Sequence, residues 1–579
     1  MQWHDWNDAV FERAQERRTP VLLFLRADWC RWCREMERSA FADPEVLSVL
    51  TERFVCVRVD KDRHSEVDER YRGSGWPTLA WLDSSGELIS RSGFLEPEEL
   101  AQRARMIADQ HAGVADASEP AVEESPAAPA GSSAPRARRT RPRELGVALV
   151  DDTLGTLLET ADPTYGGWGK RQKFPHPEAL HFATVRWSQT GRPEVLDLVL
   201  RTLRHMQEGE IYDRVEGGFY RYATAADWSR PHYEKLLDSN AQRLMAYVEA
   251  FQALGDHSFR RTAEGILSWM QGTLLDETTG CFFRGQDADP EYARLSTPER
   301  RATRSRPPVD EQLYTNWNAM AARALLKASV VFEDDSLAER ARHVLDFLVE
   351  NLWDEQRGVY HYWDGTYNLP GRLSDHAYLL RSLVEAMHYS GANHYLRPAL
   401  AIARFCQQEL LGPDGACHDK SAQVDPLRTE GHLILENAVL AEALLRLSHM
   451  ARDPGLAELG RSILSAFLAD YPRYGHFTAG YGRAVSLLVE EPVHVIIVGQ
   501  RDADSTRALR RAALQPYVAS RIVQTIDPAT DEELLALCGI KAPEPGSARA
   551  YVQQGRESYA ETSRPERLPA LMARAERSN

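Results

Sequence analysis

Hydrophobic and polar positions follow two different patterns along this chain, and the first covers roughly the first hundred residues. Short apolar runs at 20–26, 54–60 and 77–83 have the length and composition of buried strands. Amphipathic helical spacing occupies residues 5–17 and resumes after the first run. A Ser-Ser-Gly turn leads from the third run into a short strand at 88–90. This pattern predicts a small α/β sandwich.

From about residue 144 to residue 490 the spacing is almost entirely helical. Apolar residues recur three and four positions apart in paired segments, at 240–254, 316–332, 336–351, 375–390, 395–411, 436–450 and 456–471. Short stretches rich in glycine and aromatic residues separate the pairs, such as YGGWG at 165–169 and EGGFYRY at 216–222. Repeated helix pairs with aromatic loops predict an all-α toroid whose functional loops gather on one face.

Two further segments complete the predicted organisation. Residues 113–143 are rich in Ala, Pro, Ser and Gly and end in PRARRTRPR, which favours a flexible, solvated linker over a contact with nucleic acid or an acidic partner. After 490, VHVIIVG predicts a buried strand, followed by a helix at 505–513 and β-rich stretches near 520–525 and 548–552. The predicted domains are therefore 1–112 (α/β), 113–143 (linker), 144–490 (toroid) and 491–579 (a small α/β appendage).

Composition narrows the class of protein. The 579 residues exceed what one hydrophobic core usually supports, and a hydrophobic fraction of 43% is that of a globular protein. A formal charge of −16 gives no general footprint for nucleic acid. Seven cysteines are too few for a disulfide scaffold. The first twenty residues contain no apolar signal core, and no apolar run is long enough to cross a bilayer, so we expect a cytoplasmic protein without a membrane partner.

The most specific chemical feature is the pair Cys30 and Cys33, which follows an apolar strand and opens an amphipathic helix. Unpaired N–H groups at a helix start stabilise a thiolate, so Cys30 is predicted to be the attacking thiol, helped by Arg31 and Arg34. Two intervening residues place Cys33 within disulfide reach, where it can resolve a mixed disulfide. A zinc half-site or two packing thiols are the alternatives, although no second pair of ligands with zinc spacing is visible.

The toroid segment carries polar and aromatic residues at its loop-to-helix junctions. Aromatic faces can stack on sugars while carboxylates bind hydroxyls or transfer protons, so these positions predict a carbohydrate-like pocket. Glycoside hydrolysis and proton abstraction beside a carbonyl, as in sugar epimerisation, both remain open, as does a structural role in capping helices and tight glycine loops. The candidate pocket residues are His176, Asp213, Trp228, His232, Glu234, Asp238, Asp287, Trp317, Asn318 and Asp375.

The order of motifs resembles one family, the YyaL and spermatogenesis-associated proteins. The similar segments include ADWCRWCREME, SGWPTLAWLDSSGEL, YGGWGKRQKFPHP, EGGFYRYATAADWSRPHYEKLLDSNAQ, NWNAM and VHVIIVG. The resemblance implies a thioredoxin domain joined to an (α/α)6 barrel like those of six-hairpin glycosidases and N-acylglucosamine 2-epimerases. It also implies a cis-proline at Pro77, preceded by Trp76, which faces the cysteines and helps to bind an extended client. Trp29, beside Cys30, completes the predicted redox site.

The chain also departs from this family. Arg31 and Arg34 replace histidines that the family carries around its cysteines, and Gln553 and Ser558 stand where many members have C-terminal cysteines. We therefore predict a plain dithiol without metal or cofactor. The leading hypothesis is a thiol–disulfide oxidoreductase that acts on a client protein's disulfide or thiol, tethered to a toroid that binds a carbohydrate-like ligand. The alternatives are an isomerase, epimerase or hydrolase in the toroid with a regulatory dithiol, or a toroid that only docks clients.

Overall fold

The computed structural model describes residues 1–27, 30–71, 76–112, 142, 144–421, 432–554 and 557–577. The chain divides into two compact units, Met1–Arg139 and Thr140–Asn579. Nearly all of the predicted linker, 113–143, lies outside the described residues. No helix in the described ranges has the length and apolar character needed to span a membrane.

The first unit is an α/β sandwich of the thioredoxin type. The elements are β1 (Trp3–His4), α1 (Asp8–Arg17), β2 (Val21–Arg26), α2 (Arg31–Arg38), α3 (Pro44–Arg53), β3 (Val55–Asp60), α4 (Ser65–Tyr71), β4 (Thr78–Leu82), β5 (Leu88–Ser92) and α5 (Pro97–His111). The sheet has the strand order β1-β3-β2-β4-β5. Strands β1 and β2 each pair in parallel with β3, β4 is antiparallel to β2, and β5 is antiparallel to β4. The predicted α/β fold is confirmed.

The apolar runs form strands because both faces of this sheet are covered. The central strands β2 and β4 are buried along almost their whole length, and strands buried on both faces read as continuous apolar runs rather than as alternating ones. One side packs with α1 and α4 into a core that includes Val10, Leu23 and Val57. The strand β2 ends at Arg26, four residues before Cys30, and so delivers the cysteine pair to the end of the sheet.

The second unit begins with a helical array. Its helices are α6 (Val147–Thr160), α7 (Pro177–Thr190), α8 (Pro193–Glu208), α9 (Leu237–Leu254), α10 (His257–Trp269), the short α11 (Pro290–Ala293) and α12 (Pro298–Arg301), α13 (Thr315–Phe332), α14 (Asp335–Asn351), α15 (Leu373–Ser390), α16 (Leu396–Phe405), α17 (Ile434–Met450), α18 (Pro454–Ala466) and α19 (Ala479–Val489). Short strands lie in the loops: β6 (Tyr222–Ala223), β7 (Pro231–His232), β8 (Lys235–Leu236), β9 (Gly285–Gln286), β10 (Val309–Asp310), β11 (Leu313–Tyr314), β12 (Trp353–Asp354), β13 (Gly358–Trp363) and β14 (Tyr367–Pro370).

These helices close into a ring. The inner helices α7, α9, α13, α15, α17 and α19 each pack against the next, and α19 packs against α7 to complete the circle. The alternate helices α6, α8, α10, α14, α16 and α18 pack outside them. The sequence encodes this difference, because α13 is buried along most of its length whereas α14 buries only one stripe. The predicted (α/α)6 toroid is confirmed.

All long connections run from an outer helix to the start of an inner one, so they share one end of the ring. Most of these loops begin with an aspartate that accepts backbone N–H groups two or three residues ahead, at Asp162, Asp213, Asp276, Asp354 and Asp414. A glycine with a positive, left-handed φ angle follows the aspartate. At Gly217 a side chain would also collide with its surroundings, because a Cβ there would lie 2.0 Å from the Gly265 carbonyl oxygen. This recurring turn explains the glycine-rich motifs in physical terms.

An asparagine in the first turn of an inner helix fastens several of these loops. Asn318 accepts the Phe282 N–H at 2.8 Å and donates to the Phe282 and Tyr314 carbonyls at 2.9 and 3.0 Å. Asn240 and Asn437 make the same three bonds to their own loops. His376 takes this place in α15, where Nε2 accepts the Val359 N–H at 3.0 Å and Nδ1 lies 2.6 Å from the Arg372 carbonyl.

Replacing Asn318 with alanine is expected to destabilise the toroid by about 2–4 kcal/mol, because it leaves buried backbone groups without partners. The exposed Asn351, which makes one bond to Phe347, provides the control; Asn351→Ala should cost less than about 1 kcal/mol. Urea unfolding of both variants measures the difference. Equal stability of the two variants would contradict a structural role for Asn318.

A four-stranded sheet follows the toroid and covers its other end. Its elements are β15 (Val493–Val498), α20 (Asp504–Leu514), β16 (Arg521–Ile526), α21 (Glu532–Cys538), β17 (Arg549–Gln554), β18 (Glu557–Thr562) and α22 (Leu568–Arg577), with strand order β16-β15-β17-β18. The Val523 N–H donates to His388 Nδ1 at 2.9 Å, and Gln524 donates to the Met450 carbonyl at 3.0 Å. Because both acceptors end inner helices, the sheet closes the toroid at the end opposite the long loops.

Candidate functional site

The cysteine pair lies where β2 passes into α2. Cys30 is the residue before the first turn of α2, and its Sγ accepts the Cys33 N–H at 3.4 Å. The Cys30 thiol also lies 3.6 Å from the Trp76 carbonyl oxygen. All seven cysteines fall in described segments, and all are free thiols. The predicted contact between the first sulfur and the helix start is therefore present.

The two thiols have different surroundings. Burial raises the pKa of Cys33 far above its usual value, and the neighbouring Cys30 raises it further, while a backbone hydrogen bond at Ala27 and the charge of Arg26 act in the opposite direction. Cys33 is fully buried, whereas a small part of Cys30 reaches the surface. Cys33 is therefore the thiol that keeps its proton, and Cys30 is the one that a client can reach.

Aromatic groups surround the pair. The Trp76–Pro77 peptide bond is cis, and the Trp76 indole donates to Asp68 at 2.7 Å. Trp32, between the cysteines, is 50% exposed and contacts Phe94 edge to face at 5.4 Å. Trp29, which we also expected at this site, lies outside the described residues. The pair is thus bordered by a proline loop on one side and an exposed tryptophan on the other.

The predicted toroid residues gather at the loop end of the ring, but not around one point. Asp238 and Asp375 lie in the first turns of α9 and α15, and Trp317 lies in the first turn of α13. The buried Asp375 accepts the Asn316 N–H at 3.2 Å and lies 2.8 Å from His361 Nδ1. Asp287, half-buried, follows the short strand β9. Asp238, Trp317 and Asp375 thus mark the mouth of the ring.

Asp213 forms ion pairs with two cations and does not exchange protons near neutral pH. Its carboxylate lies 2.5 Å from Lys235 Nζ and 2.7 Å from Arg301. Although burial opposes ionisation, Lys235 and Arg301 hold the pKa of Asp213 at about 2. The carboxylate, which we predicted as a pocket residue, therefore stays ionised and holds Lys235 and Arg301 in place.

Two further predicted residues are also held in structural contacts. Asn318 is fully buried and bonded to backbone, as described above. Trp228 is fully buried as well, and its indole donates to the Tyr165 carbonyl at 3.0 Å. Trp317 is nearly buried and stacks on Tyr314 with ring centroids 5.2 Å apart. Asn318 and Trp228 therefore support the loops and offer no surface to a ligand.

His232, by contrast, ends an aromatic ridge at the mouth. Its ring stacks on Tyr222 at 4.3 Å, and Tyr222 stacks on Phe174 at 4.5 Å. The His176 ring lies 6.3 Å from that of Phe174 and 5.1 Å from that of Phe477, which is 58% exposed. Burial lowers the pKa of His232 to about 4 and that of His176 to about 3, so both rings are neutral near pH 7.

A groove of about 1050 Å³ opens beside His232. One wall is the loop between α8 and α9, and the other is the segment around α11 and α12. Glu234, buried behind His232, places Oε2 4.0 Å from His232 Nδ1. Of the predicted residues, the groove contains Asp213 and His232.

The middle of the ring is filled by buried ion pairs that the sequence reasoning missed. His181 lies 2.7 Å from Glu249, Arg323 lies 2.9 Å from Glu385, and Arg381 lies 3.3 Å from Glu178. Although burial opposes ionisation, His181 and nearby cations hold the pKa of Glu249 at about 2. The only sequence signal for these pairs is charged residues on the buried faces of otherwise apolar helices, and it does not identify partners.

A pH effect on stability is expected from His376. Burial lowers its pKa to about 4, so the unfolded chain, with a pKa near 6.5, takes up this proton first as the pH falls. The contribution to stability is complete above about pH 6.5 and declines below it, by about 2 kcal/mol at pH 5. In His376→Asn, the fall in unfolding free energy between pH 7 and pH 5 should be smaller by about this amount.

The His376→Asn variant also loses the stacking of the imidazole on Phe405, but this loss is the same at pH 7 and at pH 5. The change in unfolding free energy between the two pH values therefore reports only the uptake of the proton. Urea unfolding at each pH provides the measurement. The exposed His257 offers a control, because His257→Asn should keep the parental pH dependence. If His376→Asn also keeps the parental pH dependence of stability, the buried neutral imidazole does not cause that dependence.

Comparisons with known proteins find similar sequences and similar solved structures. A family model named "Thioredox_DsbH", described as "Protein of unknown function, DUF255", matches residues 1–117. Spermatogenesis-associated protein 20 of Mus musculus is 30% identical over 355 residues, which cover 58% of this chain and 43% of the mouse protein. The chain is thus similar in sequence to spermatogenesis-associated protein 20 over more than half of its own length. It spans less than half the length of the mouse relative.

Two other likenesses concern single parts. The disulfide bond reductase DsbH of Chlamydia pneumoniae is 25% identical over 105 residues, 16% of this chain and 63% of that protein. A crystal structure of D-mannose isomerase is 10% identical, covers 60% of this chain and 99% of its own, and has a TM-score of 0.48. The assignment of the toroid rests on the closed ring of helical hairpins itself. Among the described residues, no group of three His, Cys, Asp or Glu side chains is arranged to hold a metal ion.

Proposed function

We propose that the N-terminal unit of this spermatogenesis-associated-protein relative is a thiol–disulfide oxidoreductase that reduces client disulfides. The observation that carries the proposal is the asymmetric pair: Cys30 at the start of α2 accepts an N–H, while Cys33 is buried and protonated. A relative of this unit is named a disulfide bond reductase, which agrees with the reducing direction.

The reaction proceeds by two thiol–disulfide exchanges. Cys30 thiolate attacks one sulfur of the client disulfide, forming a mixed disulfide and releasing one client thiolate, which takes up a proton. Cys33 then loses its proton and attacks the Cys30 sulfur, which forms the Cys30–Cys33 disulfide and releases the second client thiol. The client gains two electrons, the dithiol loses two, and an external dithiol reductant restores the starting state.

The proposal is tested by DTT-driven reduction of insulin disulfides, followed by turbidity. The intact protein should raise the rate at least about ten-fold above DTT alone, because an activated thiolate attacks faster than a free dithiol. An unchanged rate would contradict the proposal. The tryptophan and proline loop around Cys30 favour an extended peptide as the client.

A second proposal concerns the toroid, which we infer binds a carbohydrate-like ligand at its loop end. It is supported by the partly exposed ridge of Phe174, Tyr222 and His232, whose rings can stack on the C–H faces of a sugar. The toroid is closed at its other end by the C-terminal sheet, so a ligand has its entrance beside this ridge.

A further inference from the structure

The groove beside His232 has a charge that contrasts with the rest of the chain. Among its lining residues are four arginines and three carboxylates, in a protein whose formal charge is −16. The lining residues Asp213 and Arg301 pair with each other, and Asp213 also pairs with Lys235, which leaves three arginines against Glu208 and Glu210. Positive charge collected in a concave site raises the local concentration of anions. The groove therefore favours a ligand that carries negative charge.

Two of the arginines are available to such a ligand. Arg230 and Arg294 are exposed, one on each wall of the groove. In the described part of the chain, Arg294 has no ion pair within 4 Å, and Arg230 has only a longer-range attraction to the exposed Asp227, whose pKa it helps to lower. A guanidinium offers paired N–H donors that match a carboxylate or phosphate group. The structure thus provides anion-binding groups on both sides of the groove.

The backbone around Arg230 is held in an uncommon conformation. Trp228 and Arg230 both have left-handed φ angles, 64° and 54°, which cost free energy in residues other than glycine. Several bonds fix this turn: the Arg230 N–H donates to Glu210 at 2.8 Å, and Thr224 donates to the Arg230 carbonyl at 2.8 Å. The fold therefore holds Arg230 at the groove edge and His232 against Tyr222.

Tyrosine rings form the apolar part of the same groove. Tyr233 is half-buried and contacts Tyr220 edge to face at 5.0 Å. Tyr220 lies over Lys235 Nζ at 5.3 Å and is itself buried. An aromatic surface beside two guanidiniums suits a ring compound bearing an oxyanion, rather than a bare ion.

We propose that this groove binds an anionic sugar, whose carboxylate or phosphate group is taken by Arg230 and Arg294 while its ring packs on Tyr233. The inference rests on the proposed carbohydrate ligand of the toroid and specifies that this sugar carries a negatively charged group. It does not depend on the cysteine pair, because Cys30→Ser leaves every residue of the groove unchanged.

Calorimetric titration of the full chain with D-glucuronate, glucose 6-phosphate, D-glucose and inorganic phosphate tests this inference. At low salt, at least one of the two anionic sugars should bind at least about ten-fold more tightly than glucose or phosphate alone. Arg230→Gln and Arg294→Gln should each weaken that binding about ten-fold, and Tyr233→Leu should weaken binding of the sugar. Arg507→Gln, an exposed substitution in α20, should leave it unchanged.

Each contrary result has a distinct meaning. Glucose binding as tightly as the anionic sugars would overturn the anionic class while keeping the carbohydrate proposal. Phosphate alone binding as tightly would overturn the sugar. Absence of binding by any sugar would overturn both proposals for the toroid. An unchanged affinity for the anionic sugar in Arg230→Gln and Arg294→Gln would show that the ligand binds elsewhere. Circular dichroism checks that these exposed substitutions leave the fold intact.

Discussion

Cys30→Ser is expected to lower DTT-driven insulin reduction by about ten-fold or more, to the rate of DTT alone. A serine hydroxyl stays protonated near neutral pH and cannot form a mixed disulfide. The position matters because Cys30 Sγ accepts the Cys33 N–H at the start of α2. The fold should be retained, since the hydroxyl can accept the same N–H.

The matched control for this prediction is Cys56, a buried cysteine of the same unit. It lies in β3, and burial raises its pKa to about 12, so it is a packing residue. Cys56→Ala should keep most of the activity. A Cys30→Ser variant as active as the parent would remove the basis for the redox proposal, as would an equal loss in Cys56→Ala.

The largest effect on stability is expected from Asp213→Asn, which should lower the unfolding free energy of the toroid by about 3–5 kcal/mol. Asparagine keeps the oxygen that accepts the loop N–H groups but loses the charge. Lys235 and Arg301 would then be left buried without their shared counter-ion. Breaking a buried ion pair from one side is costly for this reason.

Asp276 offers a control with the same local turn. It accepts the N–H groups of Thr278 and Thr279, as Asp213 accepts those of its own loop, and its further side-chain hydrogen bonds within the described residues go to the threonines of this turn and to no buried cation. Asp276→Asn should therefore cost about 1 kcal/mol or less in urea unfolding. Similar losses in the two variants would show that the turn, and not the buried charge, accounts for the effect.

The sequence predicts the fold well where local periodicity is decisive. The strands β2, β3 and β4 and the helices α9, α13 and α14 begin within a few residues of their predicted positions, because burial of one face or of both faces leaves a direct pattern in the chain. The repeated helix pairs predict a toroid, and the resemblance implies its (α/α)6 form. Helical spacing gives no information about which helices meet, so the packing of the inner helices is known only from the structure.

The candidate site is less predictable because its partners are distant in sequence. Cys30 and Cys33 were found because their chemistry depends on a local helix start. Asp213 lines the groove, but its ion pair with Arg301, 88 residues further along the chain, has no signal in the local sequence. The partner of His361 is Asp375, across a β-hairpin, and neither spacing nor composition indicates that contact.

Trapping the mixed disulfide tests the central claim most directly. The Cys33→Ser variant is incubated with insulin and analysed by intact-mass spectrometry, with Cys30→Ser treated in the same way. We expect Cys33→Ser to gain the mass of one insulin molecule, attached at Cys30 and released by DTT, while Cys30→Ser gains none. An adduct on Cys33 in the Cys30→Ser variant, with none on Cys30 in Cys33→Ser, would contradict the assignment of Cys30 as the attacking thiol.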